Sequence, residues 1–359
     1  MKLGILTFHC AHNYGAILQC LGLQEYLKSL GHDVYVIDYR PNYLTRGYKK
    51  HSRQDWICTS PRLTLTKLKN EPKFFAIRGR RYENFERFIN AELNLYPYIS
   101  GMNFSEFDAI FLGSDQIWEK SITNGKFDDV FFGVGAKCKV ISYAASNKTT
   151  QLTDFDIKYY KEHLIGFSGI GVREARFQKL LSSVIDTPIH LNVDPTLLSG
   201  SLLKNKIEDR CKVSGKYVLV YEVVEHRKVI ENAKKYAKRI GARIVILSAY
   251  IQYTDTDIRD QEASPADFVN YIRHAECVFT TSFHGTAISI LCQTSFFSYK
   301  QENSSDIRIE SLLKMVGLEE RFVDMDILPD NQKIDYSRAL LLLDNLTKQS
   351  KMFISESLN

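Results

Sequence analysis

Short apolar runs, each ending in small and polar residues, alternate along the chain with stretches whose apolar positions return every three or four residues. The first pattern predicts strands buried on both faces, and the second predicts helices with one apolar stripe. Residues 3–8 form the first such run. After the polar loop His9 to Gly15, residues 16–30 carry Ile17, Cys20, Leu21, Leu27 and Leu30 at helical spacing, and Gly31 is placed to stop the helix. With a strand at 34–39 this is a βαβ unit, the opening of a doubly wound sheet.

The alternation continues with strands at 107–112, 139–145, 170–172 and 190–193. A second series begins near Lys216, with strands at 217–223, 243–249, 277–281 and 295–299. Its helices are expected at 227–240, 264–274, after His284 to about Cys292, from Asp306 to a stop at Gly317, and at 336–350. Ser264 followed by Pro265 is a strong helix start. Residues 40–95 differ in texture: basic clusters such as Arg78-Gly79-Arg80-Arg81 are interleaved with Phe74, Phe75, Phe85 and Phe88. They read as helices with solvated basic faces packed on a lobe, the alternative being an acceptor-side or membrane-facing flap.

The chain's 359 residues exceed one comfortable core. The expected fold is α/β, with two Rossmann-like lobes facing a central cleft: residues 1–200 with the basic and aromatic insertion, residues 201–330, and a terminal helix within 331–359.

Composition narrows the classes of function. An apolar fraction of 44% and a charged fraction of 25% suit a soluble globular protein. A net charge of +5 is compatible with anionic small ligands or loose contact with a membrane surface, but is too small and dispersed to argue for nucleic acid. Seven scattered cysteines without a Cys-x-x-Cys pair, and no apolar window of about 20 residues, point to a reducing, cytoplasmic setting, the inner face of the membrane included.

The chemistry gathers at strand ends. The run Val278 to Thr281 stops at Ser282-Phe283-His284-Gly285, and an apolar helix follows. His284 therefore stands at a strand-to-helix turn, where open α/β sheets bind ligands and a helix start attracts anions. There it can move a proton beside a bound anion, or it can simply cap the helix. Ser114-Asp115, Ser146-Asn147, Arg173-Glu174 and Asp194-Pro195-Thr196 end other strands and are expected on the same rim. The first turn holds Asn13 and Gly15 but lacks the glycine fingerprint of dinucleotide sites, so no cofactor is expected. His9 and His12 have no third ligand nearby; no metal is expected, and both read as loop histidines facing the crevice.

Taken together these segments resemble the polysaccharide pyruvyl transferase family. The resemblance lies in Asn13 to Gln19, Gly113-Ser114-Asp115-Gln116-Ile117-Trp118, Val172-Arg173-Glu174, Val193-Asp194-Pro195-Thr196 and Ser282-Phe283-His284-Gly285, followed by Arg308 and Leu312-Leu313. It implies a fold similar to the two-lobed glycosyltransferase B architecture. It also implies phosphoenolpyruvate as donor and, as acceptor, a sugar of a polysaccharide or of its lipid-linked precursor. On that basis His284 is the expected acid and Arg173 a clamp for carboxylate or phosphate, unless Arg173 pairs with Glu174 or Asp194. The turn from Asn13 to Gly15 and the helix start at Gly285 are expected to offer N–H groups to the phosphate. Asp115, beside Ser114, either orders its loop or binds an acceptor hydroxyl. Ketal-forming relatives carry a basic residue two positions before the histidine, where this chain has Ser282, so the missing donor-binding cation is expected from Arg308 or Lys300. The competing readings are a nucleotide-sugar glycosyltransferase and a non-catalytic protein that binds anions or glycans.

Overall fold

Runs such as Ala109–Leu112 (AIFL) and Cys277–Thr280 (CVFT) have no polar face, and every residue in them is buried. Strands of this kind need cover on both sides, which parallel sheets clad by helices provide. The computed structural model describes residues 1–48, 61–249, 259–330 and 333–359, with side chains from residue 75 onward in the helix that opens the second segment.

The N-terminal lobe is a seven-stranded parallel sheet of order β3-β2-β1-β4-β5-β6-β7. Its strands are β1 (Lys2–Leu6), β2 (Asp33–Ile37), β3 (Leu95–Tyr96), β4 (Ala109–Leu112), β5 (Lys139–Ala145), β6 (Gly169–Val172) and β7 (Ile189–Leu191). The C-terminal lobe is a five-stranded parallel sheet of order β12-β11-β10-β8-β9. It is built from β8 (Tyr217–Glu222), β9 (Arg243–Ser248), β10 (Cys277–Thr280), β11 (Phe296–Tyr299) and β12 (Phe322–Val323). The direction of winding reverses between β1 and β4 in the first sheet and between β8 and β10 in the second. At such reversals the crevice beyond the strand ends is open to a ligand.

Among the described residues the helices are α1 (Tyr14–Ser29), α2 (Asn42–Thr45), α3 (Pro61–Glu92), α4 (Asp154–Leu164), α5 (Ala175–Ser182), α6 (Pro195–Ser199), α7 (Ser201–Lys206), α8 (Arg227–Arg239), α9 (Pro265–Arg273), α10 (Phe283–Cys292), α11 (Asp306–Val316) and α12 (Ser337–Leu358). None is long and apolar enough to cross a membrane. The start read at Ser264 is a capping box with Asp267, and Gly31 ends α1 with φ at 84°.

Three expectations change. Helix α10 begins at Phe283, so His284 lies inside its first turn rather than before it. The basic and aromatic region, expected as several helices, is mostly one long helix, α3, with the short α2 before it, and residues 49–60 lie outside the described residues. Helix α12 runs eight residues past Ser350, because Phe353, Ile354 and Leu358 continue its buried stripe.

The lobes are packed against each other behind the cleft. Tyr14 of α1 stacks on Phe268 of α9 with ring centroids 4.7 Å apart. From α3, the buried Arg81 donates to the Tyr14 hydroxyl at 3.0 Å and to the carbonyls of Gln261 and Ala249 at 3.2 and 3.0 Å. Helix α12 returns to the first lobe, where Ser350 Oγ accepts from Val193 N at 3.0 Å and Phe353 meets the His190 ring at 4.9 Å. One hydrophobic cluster includes Leu3, Ile17 and Tyr143 with Tyr221, Phe268, Ile288 and Ile354. The cleft is therefore walled by a shared core.

Candidate active site

A cavity of about 310 Å³ opens where the two winding reversals meet. Phe8, Ala11 and Asn13 reach it from beyond β1, and Asp115 and Gln116 from beyond β4. Val223 and Val224 line it beyond β8, and Thr281 to His284 beyond β10. Gln301, Ser305 and Arg308 close it at the start of α11. Three helices, α1, α10 and α11, thus begin at its wall. Their positive ends favour negative charge inside.

His284 is held by its neighbours rather than by hydrogen bonds. Ser282 caps α10, its hydroxyl accepting from Gly285 N at 3.3 Å, which fixes the turn that carries the histidine. Gly15 packs flat against the imidazole, so closely that a β-carbon there would stand 2.0 Å from both Cγ and Nδ1. The Phe283 ring meets the imidazole edge-on at 5.1 Å. Nε2 is enclosed and faces Asp194 Oδ2 across 3.5 Å without hydrogen-bond geometry.

Asp194 and Arg173 form the floor beneath it. Asp194 caps α6, its Oδ1 accepting from Thr196 N at 3.0 Å and from the Thr196 hydroxyl at 2.7 Å. Its Oδ2 accepts from Arg173 Nη1 at 2.7 Å and from Ser114 Oγ at 3.3 Å. Burial alone would raise this carboxyl, but the facing His284, the Arg173 charge and the Thr196 N–H together hold it well below the usual carboxylate range. Arg173 also donates to Glu174 at 3.0 Å and to Ser146 Oγ at 2.9 Å, with its guanidinium 4.2 Å from the Phe283 ring centroid. Burial works against that cation, yet Glu174 and Asp194 keep it firmly charged.

The structure therefore separates the expected site residues into two groups. His284, Asn13, Asp115, Ser282 and Arg308 line the cavity. Arg173, Ser114 and Gly285 lie behind its wall, each committed to an internal partner. Ser114 is wholly buried, with its N–H on Gln19 Oε1 at 3.2 Å, and a β-carbon on Gly285 would meet Thr280 Oγ1 at 2.3 Å. The N–H of Gly15 is taken by its own cap, Asn13 Oδ1, at 3.0 Å. Lys300 points elsewhere and pairs with Asp324 at 2.8 Å. The loop histidines do not face the cleft: His9 Nε2 lies 2.8 Å from Asp38 Oδ1 and His12 Nε2 lies 2.8 Å from Glu86 Oε1. Both rings are buried because those carboxylates satisfy them. Cys10, in the same loop, is a poor nucleophile, since burial pushes its thiol up to about 12.

Arg308 stands apart from the other arginines of the site. It has no ion pair or hydrogen bond among the described residues, and its Nε is enclosed. Burial and the nearby Arg173 charge lower its pKa, the signature of a cation short of negative charge. Gln116 Nε2 and Thr281 Oγ1 are likewise enclosed and without partners. With Arg308 Nε, these are three of the nine such atoms among the described residues, and all three residues line this one cavity; a fourth, His284 Nε2, faces Asp194 behind the wall. Buried polar atoms are rarely left unsatisfied, so their convergence marks a place for a polar ligand. Sequence reasoning missed Gln116, Thr281 and Gln301; the first two lie within motifs already noted, whereas Gln301 carries no signal of its own.

The model of the polysaccharide pyruvyl transferase family matches residues 13–303. Solved structures similar to the chain include Arabidopsis thaliana UGT89C1 complexed with UDP-L-rhamnose, at 11% identity and a TM-score of 0.48 over 99% of this chain and 98% of that one. UDP-GlcNAc 2-epimerase from Methanocaldococcus jannaschii is 10% identical, with a TM-score of 0.44 over 96% of this chain and 92% of that one. No curated protein matches the chain. The family match takes in every residue that lines the cavity except Phe8, Ala11, Ser305 and Arg308, which lie just outside its ends. The chain belongs to the polysaccharide pyruvyl transferase family.

Proposed function

We propose that the protein transfers a pyruvyl group from phosphoenolpyruvate to two hydroxyls of one sugar, in a polysaccharide or its lipid-linked precursor, forming a cyclic ketal and releasing phosphate. The observation that carries this reading is the set of unpartnered polar atoms on one wall, with Arg308 as an uncompensated cation. A small ligand bearing a carboxylate and a phosphate supplies the acceptors that Arg308 and Gln116 lack, and the helix starts add favourable field.

In this reading Arg308 takes the place of the cation missing at Ser282, and Lys300 has no part in donor binding. His284 protonates the methylene carbon of the donor, the π electrons forming the new C–H bond and leaving the central carbon electron-poor. One sugar hydroxyl attacks that carbon and gives up its proton. Phosphate then leaves with the bonding pair, and a second hydroxyl closes the ring, its proton passing to the phosphate. Arg173 acts from behind the wall as a positioning residue, holding Asp194 and Phe283 against His284. Asp115 is the candidate contact for an acceptor hydroxyl at the cavity mouth. The acceptor's lipid carrier would hold the protein at an anionic membrane surface, to which its net charge of +5 is suited.

Thermal denaturation tests the donor. A ligand of the folded state alone raises Tm, and at about 100 times its Kd it stabilises by about 2.7 kcal/mol. Phosphoenolpyruvate is expected to raise Tm in the wild type and not in Arg308→Ala. A rise with a nucleoside diphosphate and none with phosphoenolpyruvate would favour a glycosyltransferase instead.

A further inference from the structure

We infer that Asp194 is the positioning residue for the His284 imidazole: it holds Nε2–H, so that Nδ1 is the nitrogen that exchanges protons with the cavity. The inference rests on the reading of His284 as the acid and adds which atom acts and what aims it.

The ring has two nitrogens in different surroundings. Nε2 is enclosed, and the group it faces is Asp194 Oδ2 at 3.5 Å. Nδ1 is not among the enclosed unpartnered atoms; it lies beside Gly15, where the ring borders the cavity. An ionised carboxylate has no proton to give, so the nitrogen that faces it is the one that keeps its hydrogen. The neutral ring is therefore the Nε2–H tautomer, with the Nδ1 lone pair toward the cavity.

Asp194 is itself unable to turn away. Its Oδ1 is occupied by the N–H and hydroxyl of Thr196, and its Oδ2 by Arg173 and Ser114. Glu174 and Ser146 immobilise Arg173 in turn. The chain Glu174, Arg173, Asp194, His284 thus runs from the ends of β6 and β7 in one lobe to the start of α10 in the other. The aim of the imidazole depends on both lobes.

The proton balance follows. The ring charged at both nitrogens delivers the Nδ1 proton to the donor's methylene carbon and is left neutral, with Nε2–H still toward Asp194. The proton released by the first attacking hydroxyl returns to Nδ1 and restores the ring. The proton of the second hydroxyl leaves on the phosphate, so no further acid or base is required of the protein.

Nitrogen-15 NMR of the full-length protein, labelled at histidine and without ligand, tests the inference directly. Signals of His284 are identified by their loss in His284→Gln. At a pH where the ring is neutral its proton is expected on Nε2, and a neutral ring protonated at Nδ1 would overturn the inference. Asp194→Asn removes the negative charge that keeps the hydrogen on Nε2, so the neutral ring is no longer held in that tautomer. Phosphate release from phosphoenolpyruvate is then expected to lose on the order of 10²- to 10³-fold in kcat, with donor affinity unchanged. An unchanged kcat in that variant would also overturn the inference. If the variant does not fold, the wild-type tautomer decides. Because that measurement contains no donor, it stands apart from any failure of phosphoenolpyruvate as substrate.

Discussion

Gly15 and His284 come from different lobes, and the space between them leaves no room for a β-carbon, which would stand 2.0 Å from the imidazole Cγ and Nδ1. Gly15→Ala must therefore push the ring aside or part the lobes. Overpacking of this kind costs about 1–3 kcal/mol. The variant is expected to remain folded, with Tm lowered, and to lose phosphate release almost entirely. Chemical denaturation and a phosphate assay on the same sample check both halves.

Arg308 should show the opposite balance of stability and function. An uncompensated, half-buried cation is unfavourable to the empty protein, so Arg308→Gln is expected to hold or raise Tm without ligand. A charge-assisted hydrogen bond is worth about 1.5–3 kcal/mol, so donor affinity should fall by roughly 10- to 150-fold. Calorimetric titration with phosphoenolpyruvate measures the second effect.

Arg173 and Lys300 are both cations that the family resemblance brings forward, but their surroundings differ. Arg173 is buried between two carboxylates, so Arg173→Met is expected to cost about 3–5 kcal/mol by stranding Asp194 and Glu174. Lys300 makes a half-exposed pair with Asp324, and Lys300→Ala is expected to cost no more than about 1 kcal/mol and to leave donor affinity unchanged. Urea unfolding and donor titration of the two variants separate these outcomes.

Asp194 links the site to acid stability. Its carboxyl is held below its ordinary value of 3.8, so its contribution to stability is complete above the usual carboxylate range. That contribution is withdrawn as pH falls below that range toward the lower folded value, because the unfolded chain then binds the extra proton. Asp194→Asn should be less stable than the wild type at neutral pH. The gap between them should narrow as pH falls through this range, which unfolding curves at successive pH values would show.

Much of this arrangement was legible in the residues themselves. Apolar runs ending in polar clusters marked the strands, and Ser282-Phe283-His284-Gly285 marked the turn that carries the histidine. The direction in which a side chain leaves a strand end was less legible. Arg173 and Arg308 look equally available in the sequence, but Arg173 is absorbed by Asp194, a residue 21 positions away that only the fold brings close. The return of α12 to the first lobe depends on a contact between Ser350 and Val193, 157 positions apart, for which no local pattern exists. The unmet polar atoms of Gln116 and Thr281 are likewise products of packing, since either side chain would find water in a loop.

The proposed turnover of phosphoenolpyruvate onto a sugar, with His284 as the acid, is centred on this cavity. Its most direct test is release of inorganic phosphate from phosphoenolpyruvate in the presence of a panel of lipid-linked and nucleotide-linked sugars, comparing the wild type with His284→Ala. At least one acceptor is expected to give phosphate release with the wild type and, in His284→Ala, a rate lower by on the order of 10²-fold or more, with phosphoenolpyruvate still bound. Release at the wild-type rate by His284→Ala, or binding of phosphoenolpyruvate with no release for any acceptor, would contradict it.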